Sequence, residues 1–393
     1  MSGVVEILID EVERQFHADG IGAEQSPTYT AFTLELYLTA ASVAERRGNP
    51  LPSAVINRLA VVGDALSWFM DENGQVPRIG DDDEGRVIVS DLQADRLYVA
   101  SILQATAAIC KRAYLAPPVA PAHLRDLVFR RSEAKISRQA RGTGARNFPD
   151  GGYTVLRERI NEKRVVLIMD HAPLGYLSIA AHGHADTLSV WLSYGGKSLL
   201  GDAGTYLYHS GGAWRDAFRG TQLHNTLSIG GQSSSLVSGA FNWKAKADVH
   251  DVDVDCHLDS FRCQATHDGY LARFGVKHGR ILKRISSDTF TIEDRLDGPC
   301  RSELPVMIGF VAGDGIEIVE ADCSGSFNFV ADGAVLMRLT GPQGLSARIC
   351  RAVEDRKLGW LSHSFGRKQP ASHLVFEGIV SPSSSMMTQL KLL

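Results

Sequence analysis

Residues Ala181 to Gly204 read AHGHADTLSVWLSYGGKSLLGDAG. Apolar and polar residues alternate from Leu188 to Leu192, the pattern of a half-buried β-strand. The Gly195–Gly196 pair then turns the chain into a second apolar run that ends at Asp202. Two strands joined in this way predict an antiparallel sheet. Ahead of the first strand stand His182, His184 and Asp186. Residues two apart on a strand share a face, so these three are expected in a row. Two imidazoles and a carboxylate side by side ask for a chemical reason.

The chain around this stretch changes texture once. The segments VVEILIDEVERQF, YTAFTLELYLTAASVAERR and SAVINRLAVVGDALSWFMD carry apolar residues at three- and four-residue spacing and predict helices. LQADRLYVASILQATAAICKRAYL predicts another, which the prolines of APPVAPAH break, and LRDLVFRRSEAK a shorter one. From Tyr153 onward, short β-branched runs alternate with Gly, Asp and Ser turns: YTVLRERI, RVVLIMD, LSVWLSY, NTLSIG, RILKRISSDTFTIEDRL, VMIGFVA, GIEIVE, VLMRLTG, LSARIC and HLVFEGIV. Many short strands at this spacing argue for an antiparallel sandwich. The expected fold class is therefore α+β and multidomain. A helical domain over residues 1–140 precedes a β-sandwich domain over residues 141–393.

Composition narrows the function. With 44% hydrophobic and 22% charged residues the 393-residue chain reads as an ordinary globular protein. A net charge of −4 gives no general affinity for nucleic acid. From Lys111 to Arg146 nine Lys and Arg stand against Asp126 and Glu133. That run reads as a solvated linker helix, or as a positive wall that attracts an acidic polymer. None of the six cysteines forms a CxxC pair, which excludes a disulfide framework and a zinc–thiolate site. No apolar run is long enough to span a membrane. MSGVVEILIDEVERQF is amphipathic and acidic, unlike a signal peptide. The expected location is cytoplasmic for the chain as it stands, or periplasmic if its true start lies upstream.

Further polar residues join the cluster. Asp202 follows His184 by 18 residues, and His224 follows Asp202 by 22. Adjacent antiparallel strands would bring His184, Asp202 and His224 together. Two imidazoles and a carboxylate suit a divalent metal, zinc first, with Asp186 supporting the ligands. The alternative is a set of strand histidines satisfied by backbone hydrogen bonds. Ser26 and Pro27 mark a helix start just before Tyr29. Tyr29 reads as a core tyrosine or a functional one. Arg78 and Asp81–Asp83 lie in the loop PRIGDDDEG, which lacks the ligand spacing of an EF-hand and reads as solvated surface. Trp214, Arg215 and Arg219 can stack on and pair with a sugar acid, or belong to a surface helix. His267 and His278 read as sandwich core.

HGHAD, LLGDAGTY and WRDAFRGTQLHNTLSI, taken in order, resemble the heparinase II/III-like family of polysaccharide lyases. DGIGAEQSPTY, VPRIGDDDEGR, THDGY and KHGR are similar to segments of the same family, so the resemblance runs from about Phe16 to at least Arg280. It implies an N-terminal α/α toroid followed by an antiparallel β-sandwich. It also implies cleavage of uronic-acid polysaccharides by β-elimination. Tyr29 and His182 become catalytic residues. His184, Asp202 and His224 become ligands of a largely structural zinc. Gln25, Arg78, Trp214, Arg215 and Arg219 become substrate-binding residues, and an acidic polysaccharide or oligosaccharide the partner. Family toroids carry an Asn-His segment upstream of the tyrosine, where this chain has only 28 residues, and a His after it, where this chain has Thr30. The implied toroid is therefore partial, and an oligomer or a partner chain is expected over its open face. A second expectation is a non-catalytic carbohydrate-binding or envelope-polysaccharide assembly protein that keeps the metal site. A third is a metal-dependent hydrolase.

Overall fold

The structure is a computed structural model that describes residues 2–89, 97–119, 123–129, 142–176 and 178–393. Four longer helices come first: α1 (Ser2–Gln15), α2 (Pro27–Arg46), α3 (Ser53–Phe69) and α4 (Tyr98–Ile109). Ser26 caps α2 by accepting the Tyr29 N–H at 3.2 Å, with Pro27 at the first helical position. Such a cap stabilises a helix by about 1 kcal/mol. Ala31, Leu34, Leu38 and Ala41 of α2 repeat at helical spacing and pack with Leu59, Leu66, Ile102 and Leu103 in one helical core.

The basic run divides differently from its sequence reading. Residues 120–122 and 130–141 lie outside the described residues, as do 92–96 of the fourth predicted helix. Leu124–Phe129 is helical, but Arg125 is not solvated. It is 1% exposed, pairs with the buried Glu35, and also donates to the Ile88 carbonyl. Glu35 in turn accepts from the Val87 and Ile88 N–H groups at 2.9 and 3.3 Å, which ties the loop after α3 to the helices.

The rest is antiparallel sheet. β1 (Gly144–Phe148), β2 (Tyr153–Ile160), β3 (Lys163–Asp170), β4 (Val190–Tyr194) and β5 (Lys197–Leu200) form a five-stranded sheet in chain order. An eight-stranded sheet runs from Glu317–Glu320 at one edge to Val249–Asp255 at the other. A four-stranded sheet holds Ser346–Cys350, His373–Val380, Leu304–Val311 and Leu227–Ile229. One core receives Leu156, Leu167 and Leu192 from the first sheet, Leu282, Ile292 and Leu390 from the second, and Ile308, Phe310 and Leu374 from the third. A separate cluster joins helices to sheet: Ile21, Phe69 and Ile79 meet Phe148, Tyr153 and Trp191. Arg157 of β2 reinforces that junction by donating to the carbonyls of Met70 and, at 2.9 Å, Trp68.

The histidine row does not form. The strand begins only at Val190, and residues 182–189 loop instead. Ala180, His182 and Leu188 adopt φ of +52°, +66° and +63°, which a strand excludes. The backbone there bonds to other loops: the Asp81 N–H donates to the His182 carbonyl at 2.9 Å, and the Ala185 N–H to the Arg219 carbonyl at 2.8 Å. Helix and loop partners have replaced a strand neighbour, so the three polar side chains are free to take different directions. Among the described residues, no helix is long and apolar enough to cross a membrane.

Candidate functional site

His184, Asp202 and His224 converge although three separate loops carry them. Each offers one ligand atom, and these atoms lie within 4.8 Å of one another. All three residues are buried. His224 Nδ1 lies 3.1 Å from Asp202 Oδ2, which also accepts from Trp191 Nε1 at 3.1 Å. His184 Nε2 lies 3.0 Å from Asp81 Oδ1. The other ring nitrogens, His184 Nδ1 and His224 Nε2, are buried without a hydrogen-bond partner. A buried imidazole nitrogen with no partner costs free energy unless something is bound there. Two such nitrogens in one buried His–Asp–His group fit a divalent metal of zinc type. Burial by itself lowers the His224 pKa, but the Asp202 carboxylate outweighs it and the net shift is upward. For Asp202 burial raises, and His224 more than reverses it.

Asp81 is the hub that the sequence hid. It is 0% exposed, far from the solvated loop expected for Asp81–Asp83. Both of its carboxylate oxygens accept from the Arg215 guanidinium, the second at 2.7 Å. Its Oδ2 also lies 3.4 Å from His182 Nδ1, an electrostatic contact longer than a well-aligned hydrogen bond. Burial alone would raise the Asp81 pKa, but the contacts from His182, His184 and Arg215 hold it far below the usual carboxylate range. The acidic run gave no spacing from which to find it. The one clue was Gly80, whose φ is +68° and where a Cβ would sit 2.9 Å from the His182 carbonyl oxygen.

His182 and Tyr29 come from the sheet half and the helical half of the chain, and they stack. Their ring centroids are 4.3 Å apart at an interplanar angle of 28°. The His182 side chain keeps 22% of its surface exposed. Burial would lower its pKa, but the Asp81 carboxylate facing it more than offsets this and raises it. The Tyr29 hydroxyl pairs with that of Tyr208 at 2.8 Å, and burial pushes its pKa far above the ordinary phenol value. Tyr208 and Glu24 were not anticipated. Glu24 lies close enough to feel both His182 and Asp81, and burial raises its pKa.

The profile of the family described as Heparinase II/III-like, C-terminal, matches residues 140–389. The chain belongs to the heparinase II/III-like family. A curated heparin-sulfate lyase of Bacteroides thetaiotaomicron is 31% identical over 99 residues, which are 23% of this chain and 14% of that protein. A mutant of heparan sulfate lyase HepC from Pedobacter heparinus superposes with a TM-score of 0.74 at 16% identity, over 98% of this chain and 55% of that one. A solved heparinase III reaches 0.76 at 16% identity, over 100% and 55%. Chondroitin AC lyase of Streptomyces coelicolor A3 reaches 0.57 at 11% identity, over 100% and 57%. At these identities the likeness is one of fold. The chain spans about half the length of those solved structures.

The remaining residues expected at the site of this heparinase II/III-like chain are distributed unevenly. Arg215 is 3% exposed and committed to Asp81. Arg219 is 0% exposed, and its guanidinium donates to the carbonyls of Gly239 and Ala240 and to Asp216. Both guanidiniums are therefore buried and engaged by protein oxygens, while Arg219 Nε keeps an N–H with no partner. Trp214 packs edge-on to Trp360 at 5.7 Å under the Lys368 ammonium and stays partly exposed. Arg78 is also partly exposed, and it donates to the Ser362 carbonyl at 3.4 Å. Gln25 is 4% exposed, adopts φ of +57°, and neither atom of its amide has a partner. It lines a small pocket with Ile21, Ser26, Phe69 and Tyr153. Asp186 is buried but stands outside the ligand group. His267 and His278 are core residues, Nε2 to Nδ1 at 3.1 Å.

Gly183, between the two histidines, is where the loop presses against the backbone at Leu174. A Cβ there would lie 1.6 Å from the Leu174 carbonyl oxygen. Gly183→Ala is therefore expected to displace that backbone and to destabilise the fold by more than about 2 kcal/mol, at the upper end for single substitutions. A thermal melt reads this directly, and an unchanged Tm would show that the loop has slack.

Proposed function

We propose that this chain forms the reacting face of a polysaccharide lyase that cleaves a uronic-acid polysaccharide by β-elimination. The observation that carries the reading is the stacking of Tyr29 on His182, a protonated phenol against an imidazole made more basic by a carboxylate. In β-elimination a base takes the proton alpha to the uronate carboxylate, the bond from the ring to the glycosidic oxygen breaks, and an acid protonates that oxygen. His182 takes the first proton and Tyr29 delivers the second. Arg78 and Trp214, both partly exposed, meet the substrate's carboxylate and ring, and Gln25 offers its unpartnered amide. His184, Asp202 and His224 would hold zinc. When bound, zinc supplies fixed positive charge and a rigid crosslink between the three loops.

The helices over residues 1–140 then act as a partial α/α toroid against a sandwich domain over 141–393. Leu36 and Val43 of α2 are 47% and 46% exposed, which supports a helical face that another element, from a partner chain or a second copy, can cover. The names of the relatives, heparin-sulfate lyase and heparan sulfate lyase, put sulfated uronate polymers first on a substrate panel. The unsaturated uronate product absorbs in the ultraviolet, so a rise in absorbance on one of these polymers tests the reading. No rise across heparan-type, chondroitin-type and alginate-type polymers, with tight binding of one of them, would instead favour a carbohydrate-binding protein.

A further inference from the structure

We infer that Asp81 is a positioning residue that orients two histidines at once, His184 toward the metal ligands and His182 toward the substrate. This rests on the lyase reading for His182 but stands apart from it for His184.

The geometry points one way at each ring. Asp81 is buried and paired with Arg215, so it is an ionised acceptor with no proton to give. The His184 nitrogen that faces it is Nε2, at 3.0 Å, and that nitrogen must therefore be the donor. The proton sits on Nε2, and Nδ1 is left bare. Nδ1 is the nitrogen with no partner in the protein. A single carboxylate thus fixes the tautomer and leaves the lone pair on the ring nitrogen that has no partner in the protein, where a metal held with Asp202 and His224 would use it. At His182 the facing nitrogen is Nδ1, at 3.4 Å from the other carboxylate oxygen. Its proton is held on Nδ1 by the same logic, and Nε2 keeps the lone pair that a base needs. This contact is longer and less aligned, as contacts at a reacting histidine often are before substrate arrives.

Asp81 has little freedom to do otherwise. Its N–H donates to the His182 carbonyl at 2.9 Å, and its carbonyl accepts from the Ser26 hydroxyl at 2.9 Å. Ser26 caps the helix that carries Tyr29. The residue therefore links the loop after α3, the start of α2 and both histidines. Arg215 closes the network from the far side and itself receives Tyr208 against its face at 4.9 Å.

The test uses the whole chain. Asp81→Asn alone strands a buried arginine and can fail to fold, so the double variant Asp81→Asn, Arg215→Gln is made beside it. That pair removes both charges, and the Asn amide, unlike a carboxylate, can turn a donor as well as an acceptor toward each ring. The first readout is ¹⁵N NMR of the histidine rings in metal-free protein, which needs neither activity nor zinc. Wild type is expected to show His184 as the Nε2–H tautomer and His182 as Nδ1–H, and the double variant to lose both preferences. His184 protonated on Nδ1 in the wild type would overturn the inference. The second readout is affinity for Zn²⁺ alone, by chelator competition. A loss of about 10- to 100-fold in the double variant is expected, the usual effect of removing a carboxylate behind a ligating histidine. Wild-type affinity in a folded double variant would also overturn it, as a purely structural Asp81 would leave the lone pair in place. Where a polymer is turned over, kcat falls in the zinc-saturated variant with KM little changed. If the wild type turns over nothing, the lyase reading fails while the tautomer and zinc readouts still decide the role of Asp81.

Discussion

Tyr29→Phe is expected to lower kcat on a cleavable uronate polymer by roughly 10²- to 10⁴-fold, the range for loss of one positioned acid or base. The phenol oxygen is the only atom removed, and the ring that stacks on His182 at 4.3 Å stays. Substrate binding should therefore persist, and KM should change little, the signature of an interaction made in the transition state. Stability should fall only by about 0.5–1.5 kcal/mol for the lost hydrogen bond to Tyr208. Burial raises the Tyr29 pKa above its ordinary value of about 10, so the phenol holds its proton at any working pH. An acid with this shift produces no loss of activity from its own deprotonation below about pH 10. A kcat within tenfold of wild type would remove Tyr29 from the chemistry. The proton would then have to come from another group, and Tyr208 is the one in contact.

Much of the architecture was legible because local pattern and burial agree. YTVLRERI is a strand from Tyr153 to Ile160, and HLVFEGIV one from His373 to Val380, both as predicted. The misses have a common cause. Val249–Asp255 (VHDVDVD) is rich in aspartate and lies at a sheet edge, so its side chains do not report the strand that its backbone forms. Ser385–Leu392 alternates exposed and buried without a break, yet methionine, glutamine and lysine disguise it in sequence. At the site the three candidate ligands were legible, since two histidines and an aspartate stand at spacings that folded loops can close. Their geometry was not. A two-residue spacing implies a row only if the backbone is extended, and tertiary bonds to His182 and Ala185 override that. Asp81 was invisible for a related reason. Three consecutive aspartates look alike in sequence, and only the fold sends the first inward.

The largest loss of stability is expected from Arg280→Met. Arg280 and Asp294 are both 0% exposed and joined by two hydrogen bonds, at 2.8 and 3.0 Å. The same guanidinium donates to the carbonyls of Leu188, at 2.8 Å, and Asn225, at 2.5 Å. Those residues flank the loops of His184 and His224, so one side chain in the eight-stranded sheet braces both. Methionine fills much of the volume but leaves Asp294 ionised and buried, with His278 at 2.6 Å as its side-chain partner among the described residues. Breaking such a pair costs about 3–5 kcal/mol, most of it the uncompensated charge. Removing both charges is then milder than removing one, so Arg280→Met with Asp294→Leu should recover part of the loss. A double variant no more stable than Arg280→Met would show that the stranded Asp294 charge is not the main cost. The pH dependence separates the two accounts further. Burial alone would raise the Asp294 pKa, but the Arg280 charge holds it at about 2, below the unfolded value of about 3.9. The pair's stabilisation is thus fully present above about pH 3.9 and is lost as pH falls through about 2. In Arg280→Met the depression should vanish, so acid ceases to destabilise at this position and the gap to wild type narrows as pH falls. A gap that stays constant from pH 6 to pH 2 would place the cost in packing rather than in charge.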